Sequence, residues 1–468
     1  MNAYYFGSLL FGRLSNLLAV LVFSHMLIPE DFGTYSAIST NALFLYLIVG
    51  AWIPNYAWKQ ISNVSEEELS GALVKIRQFT LVACSGQLIA CVIIFLLFQQ
   101  QVDKYWIAAV GVWSVATLLL DITLVIKNAR GHSREYATLT FVKGALGLLV
   151  AGILLFAGFK LWGAVIGTIS GICGALLLVR SSSSIWTTTD NNARAKFSIV
   201  GPLQFGLSGV LAFNIYMLVN AVSRNIILID LGPEFAGYAA LSSDLFYAPV
   251  ALFVASISLS KIPALYREAR IVSERDLSNA SRLLSDTMAV VLPYIVGGLF
   301  VAESIARTIL SAETMNNLSM IAHLSTVQGG ALALISTQTT IALTNGRVKT
   351  AVLIVMITIL FVGLAHLAVA QYDLLYLYSI AFTVVVCAAA TISVVLSKQL
   401  LGVSLEIQEV VKIMAASAGM GLILLVLKHI PLPFSPFSDI VVGVLVFVLS
   451  AYLLSSQSIM RLIRMDSK

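Results

Sequence analysis

Apolar segments of about twenty residues recur along almost the whole chain, and they restrict the fold more than any other feature of the sequence. A helix of about 20 residues crosses the ~30 Å hydrocarbon core of a bilayer. Charged residues make up only 11% of the 468 residues and hydrophobic residues make up 59%, whereas a soluble domain carries roughly 25% charge. The sequence therefore predicts an all-α polytopic membrane protein.

About fourteen transmembrane helices are expected, because single strands cannot satisfy their backbone hydrogen bonds in lipid and the segments are too long for barrel strands. The predicted spans cover residues 5–27, 33–53, 76–98, 106–127, 138–158, 162–180, 205–229, 234–258, 283–302, 318–343, 349–370, 374–397, 410–428 and 438–456. They form two six-helix lobes and a C-terminal helix pair. The predicted divisions are an N-terminal lobe at 1–180, a Ser/Thr/Asn-rich cytoplasmic linker at 181–200, a C-terminal lobe at 201–398, and the extra pair with a cytoplasmic tail at 399–468.

The distribution of Lys and Arg predicts the orientation of these spans. If the N-terminus is cytoplasmic, 22 of the 28 Lys and Arg residues fall in cytoplasmic connections or in the C-terminal tail. Only four fall in outer connections. Because cytoplasmic loops carry an excess of Lys and Arg, both termini are predicted to be cytoplasmic. The first apolar segment is as long as a full span and no small-residue cleavage site follows it, which indicates a signal anchor.

The two predicted lobes share a helix-start signal. Superposing Pro29 on Pro233 also aligns Glu30 with Glu234, Gly33 with Gly237, and Asn16 with Asn220. Proline is tolerated in a first helical turn because it has no donor to lose there, and acidic residues favour the positive end of the helix dipole. The same signal at the same place in each half indicates a repeat of parallel topology. Such repeats are typical of transporters in which two lobes surround a central site.

Ionisable and polar residues within the predicted spans are costly in lipid and are therefore candidates for function. The candidates are Arg13 and Asn16 in the first span, Asp121 in the fourth, Asn220 and Arg224 in the seventh, and Asp244 in the eighth. One interpretation is a cationic cavity for an anionic headgroup, since arginine offers phosphate a fixed planar fork of donors. The other is a buried Arg–Asp pair that holds helices together. Arg224 is also close enough to the outer end of its span to extend to the interface.

Two further patterns concern helix packing. The tenth span is unusually polar, and its Gln328 and Gln338 either join helices or contact sugar hydroxyls in a cavity. In the sixth span, small residues recur every four positions, at Gly163, Gly167, Gly171 and Ala175. That stripe predicts close contact with a neighbouring helix.

The sequence carries no signal for an enzyme or a cofactor. It contains no P-loop lysine, no G-x-S-x-G and no H-E-x-x-H, and its outer loops are too short for a catalytic domain. The four cysteines lie in apolar runs and the histidines are scattered, so no metal site is predicted. Lys and Arg occur in short clusters between spans, which argues against nucleic acid as a partner. Without ATP, transport would depend on an H⁺ or Na⁺ gradient or on the substrate gradient, and Asp244 is the candidate titrating group.

The segment from Arg13 through Asn16 to Leu27-Ile-Pro-Glu-Asp-Phe-Gly33-Thr-Tyr35 resembles polysaccharide flippases of the MOP superfamily (Wzx-type). The segment from Arg224 through Gly232-Pro233-Glu234 to Gly237-Tyr238 resembles them again. These transporters flip undecaprenyl-pyrophosphate-linked O-antigen or exopolysaccharide units. The sequence departs from their usual pattern at Ile28, where a glycine is common.

The resemblance implies two lobes in a V shape, alternating access, and a positively charged lumen that binds pyrophosphate and sugars while the polyprenyl tail stays in lipid. It implies a bacterial inner membrane location, with a glycan polymerase and chain-length machinery as partners. Three alternatives stay open. They are a MATE-type multidrug exporter, a lipid II flippase, and a membrane glycan polymerase or glycosyltransferase, although the last should carry a large outer loop with catalytic residues.

Overall fold

The computed structural model describes most of the chain, and its described residues are helical apart from the short connections between helices. They are residues 18–61, 66–98, 103–180, 215–247, 249–251, 253–254, 257–258, 278–309, 312–369, 375–403, 405–428 and 436–463, with single positions at 15, 206, 210, 261 and 265. No strand occurs in this part of the chain. The predicted all-α class is confirmed.

The chain divides into two compact units, Met1–Val210 and Leu211–Lys468. The first unit contains α1 (Pro29–Val49), α2 (Trp52–Ile61), α3 (Glu66–Phe98), α4 (Lys104–Ala129), α5 (Ser133–Phe156) and α6 (Lys160–Arg180). Its core lies where α1, α4 and α6 meet, around Ile38, Trp113 and Val165. The predicted linker at 181–200 lies outside the described residues, and the predicted division into lobes and a helix pair stays a prediction.

Helices α5 and α6 make the most extensive helix–helix contact of the first unit, and glycines on α6 allow it. A Cβ atom on Gly167 would overlap the backbone of Ala151, and one on Gly171 would overlap the carbonyl oxygen of Lys143. The same Cβ on Gly171 would lie 2.7 Å from the Cα of Gly147. The two backbones therefore touch, which confirms the close packing that the small-residue stripe predicts.

Among the described residues of the second unit, the structure gives bounds for nine α-helices and one π-helical turn. They are α7 (Ile215–Leu231), α8 (Pro233–Phe246), α9 (Ser278–Ile309), α10 (Ala312–Thr344), α11 (Val348–Val369), α12 (Leu375–Leu396), the π-helical turn Ser397–Leu401, α13 (Ile407–Leu427), α14 (Phe437–Leu453) and α15 (Gln457–Ile463). Helix α10 packs against α8, α9, α11 and α12, and its Leu332 and Ile335 are buried in a core shared with α7, α11 and α12. Helix α13 packs against α9, and α14 packs against α13.

Nine helices among the described residues are long and apolar enough to cross a membrane. The candidate spans are Pro29–Val49, Leu69–Leu96, Lys104–Ala129, Arg134–Phe156, Lys160–Leu178, Asn279–Thr308, Val348–Val369, Leu375–Leu401 and Ile407–Leu427. Large apolar side chains such as Phe156, Leu367 and Leu422 are exposed on their surfaces, as lipid-facing residues are in a bilayer. The chain is therefore a multi-pass membrane protein, and the count of fourteen spans stays a prediction.

The repeated helix-start signal is confirmed in both units. Helix α1 begins at Pro29 and helix α8 begins at Pro233, each with acidic residues in its first turn. Gly232 precedes α8 with φ of 91°, a left-handed conformation that a residue with a Cβ rarely adopts. In α8, the Tyr238 hydroxyl donates a hydrogen bond to Glu234 Oε1 at 3.0 Å.

Candidate functional site

The structure describes six of the eight predicted site residues. Arg13 and Asn16 lie outside the described residues. Asn220, Arg224, Asp244, Gln328 and Gln338 lie in the second unit, and Asp121 lies in the first. Asn220, Arg224 and Gln328 line a common pocket between α7, α8, α10 and α12. Asp244 contacts Arg224.

Arg224 is a buried residue of α7 whose guanidinium contacts helix α8. Its Nη2 donates to Asp244 Oδ1 at 2.5 Å, to Ser243 Oγ, and to the Ala240 carbonyl oxygen at 3.5 Å. Residues 240, 243 and 244 share one face of a helix because they are three and four positions apart. The structure thus contains an Arg–Asp pair between α7 and α8, in which the arginine is buried and the aspartate is partly exposed. A direct role of Arg224 in binding substrate stays a prediction.

The arginine also lies on the wall of a small pocket, called here the polar pocket. Its lining residues are Asn220, Ser223, Arg224, Ile227, Ala239, Ser243, Ile321, Ser325, Gln328, Tyr378, Ser379 and Phe382. Its cavity volume is about 30 Å³, which is room for roughly two or three water molecules. Among the described residues of this wall, Arg224 is the one side chain that carries a charge at neutral pH. The pocket therefore suits a small hydrogen-bonding group and not a whole sugar.

Amide and hydroxyl groups join the helices behind the polar pocket. Gln328 Nε2 donates to the Ser379 carbonyl oxygen at 3.1 Å and to Thr383 Oγ1 at 2.9 Å, which ties α10 to α12. The hydroxyls of Ser242 and Ser325 lie 2.7 Å apart and tie α8 to α10. Gln328 therefore joins helices and lines the pocket at once, so both sequence-based interpretations fit its position.

Gln338 lies away from the polar pocket. Ten residues of helix separate it from Gln328, which is about 15 Å along the axis of α10. Its side chain is fully buried, and its amide nitrogen and oxygen have no hydrogen-bond partner among the described residues. The structure gives Gln338 no place on the pocket wall, and its predicted role as a sugar contact stays a prediction.

Asp121 belongs to a separate polar contact in the first unit. The Tyr46 hydroxyl of α1 donates to Asp121 Oδ2 of α4 at 2.6 Å. Lys143 of α5 lies near enough to interact with the Asp121 carboxylate electrostatically. The described hydrogen-bond partner of Asp121 is thus a tyrosine and not an arginine.

Sequence reasoning missed His366, a buried residue of α11 directly behind the polar pocket. Its Nε2 lies 3.3 Å from Ser223 Oγ and its Nδ1 lies 2.7 Å from the Val362 carbonyl oxygen. Its ring packs edge-on against Tyr378, with centroids 5.6 Å apart, and the Tyr378 hydroxyl donates to Asp230 Oδ2 at 3.1 Å. An ionisable side chain within a very apolar span was the available signal.

No family model matches the sequence, and no curated protein matches it. Solved structures do match its fold. A structure of the lipid II flippase MurJ, in an inward closed conformation, is 17% identical with a TM-score of 0.68 and covers 99% of this chain and 100% of that chain.

Other similar structures are transporters of the same superfamily. A MOP superfamily transporter from Pyrococcus furiosus, whose binding pocket is described as reversed in polarity, is 14% identical with a TM-score of 0.62; the match covers 84% of this chain and 94% of that chain. A MATE structure in a straight conformation is 12% identical with a TM-score of 0.55 and covers 84% of this chain and 93% of that one. The chain therefore has the fold of MOP superfamily transporters.

Proposed function

We propose that the chain is a flippase that moves an undecaprenyl-pyrophosphate-linked oligosaccharide from the cytoplasmic to the periplasmic leaflet by alternating access. The substrate would be an O-antigen or exopolysaccharide repeat unit. The observation that carries the proposal is the end-to-end structural match to a lipid II flippase, which covers 99% of this chain and all of the flippase. A match of that extent supports transport of a lipid-linked substrate.

The extent of the match also favours a flippase over a drug exporter. The MATE structure leaves about a sixth of this chain uncovered, and residues 399–468 make up a similar share of its length. That region contributes α13 and α14, which carry many exposed apolar side chains. The match to the lipid II flippase includes this region, because it covers 99% of this chain.

The polar pocket supplies hydrogen-bonding groups that suit one part of an anionic headgroup, such as a phosphate oxygen or a single sugar hydroxyl. Its wall carries hydroxyls, amides and one arginine, groups that bind sugar hydroxyls and phosphate oxygens. Because Arg224 already contacts Asp244, a phosphate oxygen would have to replace that carboxylate as its partner. We propose that Arg224 exchanges Asp244 for the substrate phosphate during the cycle, with Asn220 beside it and Arg13 and Asn16 as the corresponding groups of the first lobe.

A second candidate substrate is lipid II, which is favoured by the same structural match. Both candidates are polyprenyl-linked glycans, so the fold alone supports them equally. The resemblance of the Arg13–Tyr35 and Arg224–Tyr238 segments to polysaccharide flippases favours the O-antigen or exopolysaccharide unit.

The proposal includes a place and partners. The chain would lie in a bacterial inner membrane with both termini in the cytoplasm, and a glycan polymerase with its chain-length machinery would use the flipped unit. An H⁺ or Na⁺ gradient would drive the cycle, with no other cofactor.

The experiment is deletion of the gene in its native host, followed by analysis of surface glycan and of lipid-linked intermediates. The proposal expects loss of surface polysaccharide and accumulation of its lipid-linked unit on the cytoplasmic leaflet, with peptidoglycan synthesis intact. Accumulation of lipid II with cell lysis would favour the second candidate. Normal glycans together with increased drug sensitivity would contradict both.

A further inference from the structure

The hydrogen bonds of His366 fix which ring nitrogen carries the proton. A carbonyl oxygen can only accept, so the 2.7 Å contact with the Val362 carbonyl requires a proton on Nδ1. In the neutral ring, Nε2 then carries the lone pair. The Ser223 hydroxyl, 3.3 Å away, must therefore donate its proton to Nε2.

Ser223 connects this histidine to the polar pocket. It lies next to Arg224 in sequence, and both residues line the pocket. While its hydroxyl proton is directed at His366, the oxygen of Ser223 can offer the pocket only lone pairs. A second proton on the ring would make Nε2 a donor to that oxygen. The hydroxyl proton of Ser223 would then have to turn away from the ring, and the pocket would gain a donor where it had an acceptor.

Burial in the apolar interior works against a second proton on the ring, and a nearby carboxylate works for it. Asp230 follows Ser223 by two turns of α7, and its carboxylate interacts electrostatically with His366. Tyr378 of α12 packs on the ring and donates to Asp230, so it holds the carboxylate on that side. Phe382 of α12 is the other ring in contact. On the pocket side, Arg224 carries a positive charge that is paired with Asp244.

We propose that His366 is a proton-binding site whose protonation reverses the hydrogen-bond direction of Ser223 and thereby changes what the polar pocket binds. The protonated state presents Ser223 and Arg224 as adjacent donors, which suits an oxygen of an anionic headgroup. The neutral state presents an acceptor beside the arginine and suits it less. The inference rests on the proposed function, because it assigns the regulation of the same pocket, and it moves the titrating group from Asp244 to His366.

The first test observes the proton directly and needs no substrate. The full-length protein, labelled with ¹⁵N-histidine in lipid nanodiscs, is followed by NMR from pH 8 to pH 5, and the His366→Gln variant identifies the signal. Nε2 of His366 is expected to change from an acceptor to a protonated nitrogen within this range. Ser223→Ala is expected to shift the titration midpoint, because it removes the oxygen that accepts from the protonated ring. A His366 that stays neutral at pH 5, or a midpoint unchanged in Ser223→Ala, would overturn the proposal.

The second test measures the consequence for transport in vesicles that contain a fluorescent polyprenyl-pyrophosphate oligosaccharide. One hydrogen bond gained in the pocket predicts a change of about five-fold between pH 8 and pH 6. The change should persist in His132→Gln, a matched control on the loop between α4 and α5, and disappear in His366→Gln and Ser223→Ala. A pH dependence that survives in both pocket variants contradicts the proposal. If the wild type moves no such lipid, the proposed function fails, and the NMR titration alone decides the role of His366.

Discussion

Replacing Arg224 by alanine tests the role of the ion pair that joins α7 to α8. The arginine side chain is 10% exposed and the Asp244 side chain is 30% exposed, with 2.5 Å between Nη2 and Oδ1. Removing one partner of a fully buried pair costs roughly 3–5 kcal/mol because the other charge is left unpaired. The partial exposure of Asp244 lets water reach it, so we expect a loss of about 3 kcal/mol, at the low end of that range.

Thermal unfolding of the purified protein in detergent, at one fixed scan rate, measures this loss. In a unit of this size, about 1 kcal/mol corresponds to roughly 2 °C, so Arg224→Ala should lower Tm by about 6 °C. Adding Asp244→Asn to Arg224→Ala should restore part of that loss, since it removes the stranded carboxylate.

The chain offers a matched control for this measurement. Arg307 and Glu303 form an ion pair of nearly the same length, 2.6 Å, but the side chains are 67% and 31% exposed. Arg307→Ala should therefore cost less than about 1 kcal/mol. Equal Tm changes for Arg224→Ala and Arg307→Ala, or a double variant less stable than Arg224→Ala alone, would refute the reasoning from burial.

Three further predictions concern the first unit. Gly171→Ala should lower Tm by several degrees, because its Cβ would overlap the backbone of α5. Gly152→Ala is the control and should be neutral or stabilising, because no atom lies within 4 Å of its Cβ position. Equal effects of the two substitutions would contradict the close contact between α5 and α6. Tyr46→Phe should destabilise the protein by about 1–3 kcal/mol, since it removes the donor to a partly buried carboxylate, and an unchanged Tm would show that water replaces the hydroxyl. Reporter fusions after Gly131 should report a cytoplasmic location and fusions near Asp103 a periplasmic one; the opposite pattern would invert the predicted topology.

Locally encoded features of the fold could be predicted from the sequence. The starts of α1 and α8 follow from Pro29 and Pro233, because proline and the acidic residues after it act within a single turn. The contact between α5 and α6 follows from a glycine stripe on one helix face. Helix ends were less predictable: α3 begins at Glu66, ten residues before the predicted span at 76–98, since a helix can continue beyond the membrane.

The candidate site could be predicted only in part, because its residues come from helices far apart in sequence. Arg224 and Asp244 were identified individually, but a pair and two separate charges produce the same sequence pattern. His366 and Ser223 are 143 residues apart, and no local periodicity connects them. Gln338 and Gln328 share a polar span, and both are buried, but only Gln328 lines the polar pocket. The composition of a span does not tell which neighbouring helix each of its residues faces.

The central claim is that the chain moves a polyprenyl-pyrophosphate-linked oligosaccharide across a bilayer. The most direct measurement reconstitutes the purified protein in vesicles with fluorescent forms of that lipid and of lipid II, and follows their transfer between leaflets. A cationic drug serves as the third substrate, and protein-free vesicles give the background. We expect transfer of the lipid-linked oligosaccharide well above background. This transfer should be lost in Arg224→Ala protein that remains folded and kept in Arg307→Ala. Export of the drug with both lipids left in their original leaflet would contradict it.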